Sequence, residues 1–180
     1  YLAFREREPG TGDHLEAFAT WLAGCASGRP VVAWNGDGFD FPVVREQFRR
    51  HCPECVEAWD DRYTFDPLRW ARDRGNAALP GRTNRLDAVA AALGYDRDTR
   101  GLDGGTVAEL YVAWRDRVAT ASDPAAVPAP DWDRLEAYCE DDVRALALVY
   151  EALREAARRP PETSAPTGAD SSQGSLSDFG

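Results

Sequence analysis

The 180 residues contain no Lys and no Met, and His occurs only 2 times. All 21 basic residues are therefore Arg, and 31 acids stand against them, for a formal net charge of −10. Proteins that bind phosphate ordinarily present a basic face, so the global charge taken alone argues against nucleic acid. No apolar run approaches the ~18 residues of a membrane span, and no signal-peptide pattern opens the chain. These absences read as a soluble, cytoplasmic protein with no membrane partner. Bulk is not lacking: 6 Trp, 6 Tyr and 7 Phe supply enough apolar surface for a core, which excludes wholesale disorder.

An acid-rich, Lys-free composition resembles that of proteins from extreme halophiles. In molar salt the Debye length shrinks to about 3 Å and self-repulsion is hidden. Global charge is then a poor guide to partners, and the local sites must decide. The missing Met, together with the opening Tyr1, reads as a chain whose true N-terminus lies upstream. Cys52-Pro-Glu-Cys55 has C-x-x-C spacing, but a structural zinc site needs a second ligand pair, and Cys25 and Cys139 are isolated. Ordinary reduced thiols are the favoured reading.

Strand and helix signals alternate along the chain. Tyr1–Phe4 is a short apolar stretch fit to finish a strand, and Asp13 with Glu16 has the spacing of a capped helix start. Val31–Trp34 and Tyr63–Phe65 read as strands. Helices are expected over Phe41–Arg50, over Leu86–Leu93 with a stop at Gly94, over Thr106–Val118, and over Asp131–Arg158. This order predicts an α/β domain over 1–158. From Arg159 on, Pro, Ser, Thr and Gly dominate, which predicts a disordered tail over 159–180.

Two constellations can carry chemistry. Asn35-Gly-Asp-Gly-Phe-Asp40 lies where a strand meets a helix, and in α/β sheets ligands gather at the carboxyl ends of strands. Asp40 could equally be a helix cap with the glycines forming the turn. On the last helix, Leu135, Cys139, Val143, Leu146, Val149, Tyr150 and Leu153 form an apolar stripe. Asp142 falls on that face, Tyr138 stands one turn before it, and Asp141 is expected to point away. A carboxylate on a buried stripe is costly without a partner or a metal. A Tyr138–Asp142 hydrogen bond inside a core would also account for the pair.

Taken together, N-x-x-x-F-D at a strand end and Y-x-x-x-D on the final helix resemble two motifs of the DEDDy-type 3′–5′ exonucleases. Within that superfamily the chain is most similar to the YprB-type ribonuclease H-like domains. The order of Arg85–Gly94, Gly101–Gly105 and Val107–Trp114 supports this, and the likeness spans roughly 1–158. The resemblance implies a ribonuclease H-like mixed sheet flanked by helices. It also implies two Mg²⁺ or Mn²⁺ ions hydrolysing phosphodiester bonds of DNA or RNA, in repair or RNA processing. Asp40 and Asp142 would be metal ligands, Tyr138 would orient the attacking water, and Asn35 and Phe39 would lie near the terminal nucleotide of a single-stranded or 3′-ended substrate. Such metals need oxygen ligands, and a pair held about 4 Å apart stabilises both the attacking and the leaving oxygen.

The pattern also has a gap. The family's first motif, D-x-E, occurs nowhere in the 180 residues. Glu6-Arg-Glu8 imitates it, but fits better as the end of a third strand, so the opening strands are expected to be missing from this chain. A catalytically inactive ribonuclease H-like module that binds nucleic acid or a partner is the alternative, and a plain acidic α/β domain is a third. In the tail, Gln173, Leu176 and Phe179 resemble a sliding-clamp-binding box that lacks its second aromatic residue.

Overall fold

The computed structural model describes residues 1–6, 9–25, 28–99 and 101–158. Glu8 and the tail residues Gln173, Leu176 and Phe179 lie outside the described residues. Within them the chain is mostly helical, with seven α-helices, one 3-10 turn at Pro124–Ala126, and a two-stranded parallel sheet. β1 (Val31–Val32) pairs with β2 (Thr64–Phe65), Val31 opposite Thr64 and Val32 opposite Phe65. The wider mixed sheet expected from the sequence is not among the described residues. The first strand signal, Tyr1–Phe4, is not a strand either. That stretch is held by side chains instead: Arg5 pairs with Glu136, and buried Glu6 accepts from the Tyr111 hydroxyl and from Gly10 N at 2.9 Å. Glu6 is therefore engaged by Tyr111 and Gly10.

The parallel pairing requires a crossover, and α2 (Asp40–His51) with α3 (Cys55–Asp60) supplies it. Both pack with α1 (Asp13–Gly24) around Leu15, Leu22, Phe41, Phe48, Cys52 and Trp59. The expected cap at Asp13 is not formed, because the α1 N-cap is Gly12, at φ 79, and no side chain caps the helix. A left-handed φ suits a glycine there. Arg49 and Arg50 place positive charge in the last turn of α2, which favours the negative end of its dipole. Cys52 and Cys55 are joined in a disulfide, not left as free thiols. The Pro53–Glu54 turn brings their Cα atoms to 5.5 Å, within disulfide range.

A second core joins α5 (Leu86–Ala92) to α7 (Trp132–Arg158) through Val89, Ala90, Ala145, Val149 and Leu153, with Trp34, Trp70 and Tyr95 against it. α6 (Gly104–Thr120) starts at Asp103, whose carboxylate accepts from Thr106 N and caps the helix. It buries Trp114 and leaves Leu110 exposed. On α7 the inward residues are Leu135, Tyr138, Asp141, Ala145, Val149 and Leu153. The expected stripe through Cys139 and Val143 is turned outward, and both are exposed. Ala145, fully buried against Val89 and Ala90, explains the rotation. Small residues let two helix backbones approach closely, so alanine takes the seam and the bulkier Val143 faces out. No helix among the described residues is long and apolar enough to cross a membrane.

Candidate active site

β1 ends at Val32, and the chain turns through Asn35-Gly-Asp-Gly-Phe39 into α2. Asn35 adopts φ 60, a left-handed conformation that Asn tolerates better than most residues. Gly36 is required by crowding, because a Cβ there would sit 2.5 Å from the Phe41 ring. The turn is held from the neighbouring strand by Asp66, at the end of β2. This buried carboxylate accepts from Asn35 N at 3.1 Å and Asp37 N at 3.3 Å. It also caps α4 (Pro67–Arg72) through Leu68 N and Arg69 N, with Pro67 in the first turn. With four N–H donors on its two oxygens, Asp66 positions the turn and is spent in doing so.

This geometry places Asp40 at the first position of α2, after an N-cap at Phe39. Asp40 is not the cap, contrary to the structural reading of its position. Asp40 lines a cleft of about 680 Å³, and Asn35, Tyr138 and Asp142 line the same cleft. Phe39 does not line it, and its ring stands 62% exposed beside it. The other walls come from Trp34, from Asn84 to Asp87 at the start of α5, from Arg97, Leu102 and Asp103, and from Val143 and Leu146. Trp34 Nε1 donates to Asn84 O at 2.9 Å, tying the end of β1 to the segment before α5.

Each polar group in the cleft has a distinct electrostatic setting. Burial pushes the Asp40 carboxyl above its usual range, its own backbone N–H opposes this, and the Asp66 charge adds to the rise. Among the described residues no arginine is paired with Asp40. The Tyr138 phenol is pushed up to about 12 by burial and then by the Asp142 charge beside it. It stays protonated, a donor, at any working pH. Asp142 accepts from Arg97 Nη2 at 2.7 Å, and the Arg97 guanidinium lies 5.0 Å from the centre of the Tyr138 ring. Arg85 grips Asp87 through two contacts, of 3.2 and 3.1 Å, and this hydrogen bonding holds the Asp87 carboxyl down.

Asp141 corrects the sequence reading. It is 3% exposed and points inward, where it accepts from Tyr95 Oη at 3.0 Å, Thr99 N at 2.7 Å and Thr99 Oγ1 at 2.5 Å. Asp142, not Asp141, faces the cleft, on the flank of the buried stripe. A hard divalent cation wants oxygen donors, and Asp40 and Asp142 offer carboxylates in one cleft. Asp40, raised by burial and by a like charge, is a group that a cation would relieve. Asp40 and Asp142 are thus oxygen donors of the type that Mg²⁺ or Mn²⁺ takes.

A family model described as the RNase_H superfamily matches residues 2–154. The chain belongs to the RNase H superfamily. No curated protein and no solved structure matches it. Membership in the RNase H superfamily points to nuclease or nucleic-acid-binding chemistry. Sequence reasoning missed Asp66, Arg97 and the Arg85–Asp87 pair. Asp66 had a legible signal, since Asp-Pro directly after a strand is a helix cap with Pro in the first turn. Arg97 had none, being one arginine in a charged loop.

Proposed function

We propose that this RNase H superfamily chain is a metal-dependent 3′–5′ exonuclease domain of the DEDDy kind, nearest the YprB-type domains, acting on DNA or RNA. On this reading β1 and β2 are neighbouring strands of a ribonuclease H-like mixed sheet. One observation carries the proposal: Asn35, Asp40, Tyr138 and Asp142, from opposite ends of the chain, line a single cleft. Asp40 and Asp142 would hold Mg²⁺ or Mn²⁺, which when bound supplies charge neutralisation and water activation for phosphodiester hydrolysis. Tyr138, kept protonated, donates to and orients the attacking water. Asn35 reads the terminal nucleotide, and Phe39 offers an exposed ring for a base to stack on.

A second reading has its own support. No D-x-E occurs in the 180 residues, and Asp142 already holds an arginine. Both features suit a ribonuclease H-like module that binds nucleic acid or a partner without cutting. The deciding experiment incubates the protein with 5′-labelled single-stranded DNA and RNA and Mn²⁺, at low and at molar KCl. The nuclease reading expects products shortened stepwise from the 3′ end, abolished by EDTA and by Asp142→Asn or Asp40→Asn. Binding with no shortening under any condition favours the inactive module.

A further inference from the structure

Arg97 is an unusual arginine for this chain. Its side chain is 19% exposed, whereas the next least exposed arginine among the described ion pairs, Arg5, is at 34%. Desolvating a guanidinium is costly unless its partners repay it. Its partners are Asp142 on one side and the face of the Tyr138 ring on the other, two groups assigned here to metal binding and water positioning. The loop carrying Arg97 is fixed two residues later, where Thr99 donates through its backbone N and its hydroxyl to buried Asp141. Adjacent acids on α7 thus divide the work: Asp141 anchors the loop, and Asp142 receives the arginine that the loop presents.

We propose that Arg97 is a counter-ion placeholder for the metal site. Without metal its guanidinium neutralises Asp142, and when a divalent cation takes that carboxylate the arginine is released to hold a phosphate oxygen of the nucleic acid. The inference rests on the reading of Asp142 as a metal ligand. Charge balance motivates the exchange. An unpaired carboxylate in a cleft that also holds Asp40 and Asp103, Asp87 being already paired with Arg85, repels its neighbours, and a cation relieves it whether that cation is a guanidinium or a metal. Once a metal neutralises Asp142, the guanidinium has lost its partner, and its planar fork matches a phosphate. Arg97 lies on a loop between α5 and α6, not within a helix.

Calorimetric titration of Mn²⁺ into the wild-type protein, Arg97→Gln, Arg97→Lys and Asp142→Asn tests this. Removing a competing cation from a half-buried carboxylate should tighten Mn²⁺ binding roughly three- to tenfold in Arg97→Gln, with Arg97→Lys between the two. With Mg²⁺ present, Arg97→Gln should bind a hydrolysis-resistant phosphorothioate oligonucleotide about five- to twentyfold more weakly. If Asp142→Asn binds Mn²⁺ as well as wild type, the metal-site reading fails and the placeholder fails with it. If Asp142→Asn loses binding while Arg97→Gln binds Mn²⁺ no tighter than wild type, the placeholder alone is overturned and Arg97 is a plain ion pair. Should Arg97→Gln misfold, the side-chain Nε–Hε resonance of Arg97 in the unaltered protein gives the answer. A shift on Mg²⁺ addition supports release, and an unmoved resonance at metal saturation refutes it.

Discussion

Exchanging Asp141 for Asn removes one charge and no volume, at a residue that touches nothing in the cleft. One carboxylate oxygen accepts from Tyr95, and the other takes both the backbone N–H and the hydroxyl of Thr99. An amide can turn its oxygen toward Thr99, but its NH₂ then faces the Tyr95 hydroxyl, and every remaining bond loses its charge assistance. Hydrogen bonds to a charged group contribute about 1.5–3 kcal/mol each, neutral ones about 1. The variant should therefore lose roughly 2–3 kcal/mol, or about 5–10 °C in Tm for a chain of this size. The pH dependence follows from the same contacts. Burial pushes the Asp141 carboxyl up, the Thr99 and Tyr95 hydrogen bonds pull it down further, and the net shift is downward. A carboxyl lowered in the folded state stabilises at pH above its unfolded value of about 3.9. That contribution is lost as pH falls through the folded value, so wild-type stability should drop on the acid side and the Asn variant should drop less. Chemical denaturation monitored by circular dichroism from acid to neutral pH measures both. An Asp141→Asn protein with wild-type stability and an unchanged acid limb would refute the account of this residue, and with it the account of how the Arg97 loop is held.

Three further outcomes are expected. Tyr138→Phe should slow hydrolysis by about one to three orders of magnitude with little change in substrate affinity, and no Tyr ionisation should enter the rate profile below pH ~10. A loss confined to thermal stability would return Tyr138 to the core. Phe39→Ala should leave the melting temperature nearly unchanged, because the ring is exposed. It should weaken single-stranded oligonucleotide binding by about 1–3 kcal/mol if a base stacks there, and fluorescence anisotropy reads the difference. A peptide of residues 171–180 should bind a sliding clamp at micromolar affinity or weaker (about −8 kcal/mol at most) in high salt, and lose binding when Leu176 and Phe179 become Ala; no binding by the unaltered peptide ends that reading of the tail.

Local signals reached most of the helices and stopped at the contacts between them. The expected helices over Phe41–Arg50 and Asp131–Arg158 coincide closely with α2 and α7, because capping residues, helical periodicity and breakers are all local. Neither short helix, α3 nor α4, was expected, since six residues carry too little periodicity to read. The facing of α7 failed for a different reason. A hydrophobic stripe ranks Val143 above Ala145, whereas close packing against Val89 and Ala90 rewards the smaller residue. The same error exchanged Asp141 and Asp142, since a buried acid is recognised only once its donors, Tyr95 and Thr99, are known. In the cleft, Asn35, Asp40, Tyr138 and Asp142 were legible as spaced motifs. Asp66 is legible locally only as the cap of α4; its hold on the Asn35 turn, like the contacts of Arg97, runs to distant partners that no local pattern encodes.

The two walls of the cleft are made at different times. A ribosome releases Asn35, Asp40 and their support Asp66 long before it reaches α7, which brings Tyr138 and Asp142 near the end of the described chain. α7 is seated chiefly on α5, a short helix from the middle of the chain. A nascent chain can thus complete the first core, around Phe48 and Trp59, while having no assembled cleft at all. Undocking a single helix would afterwards dismantle the cleft and leave the first core intact.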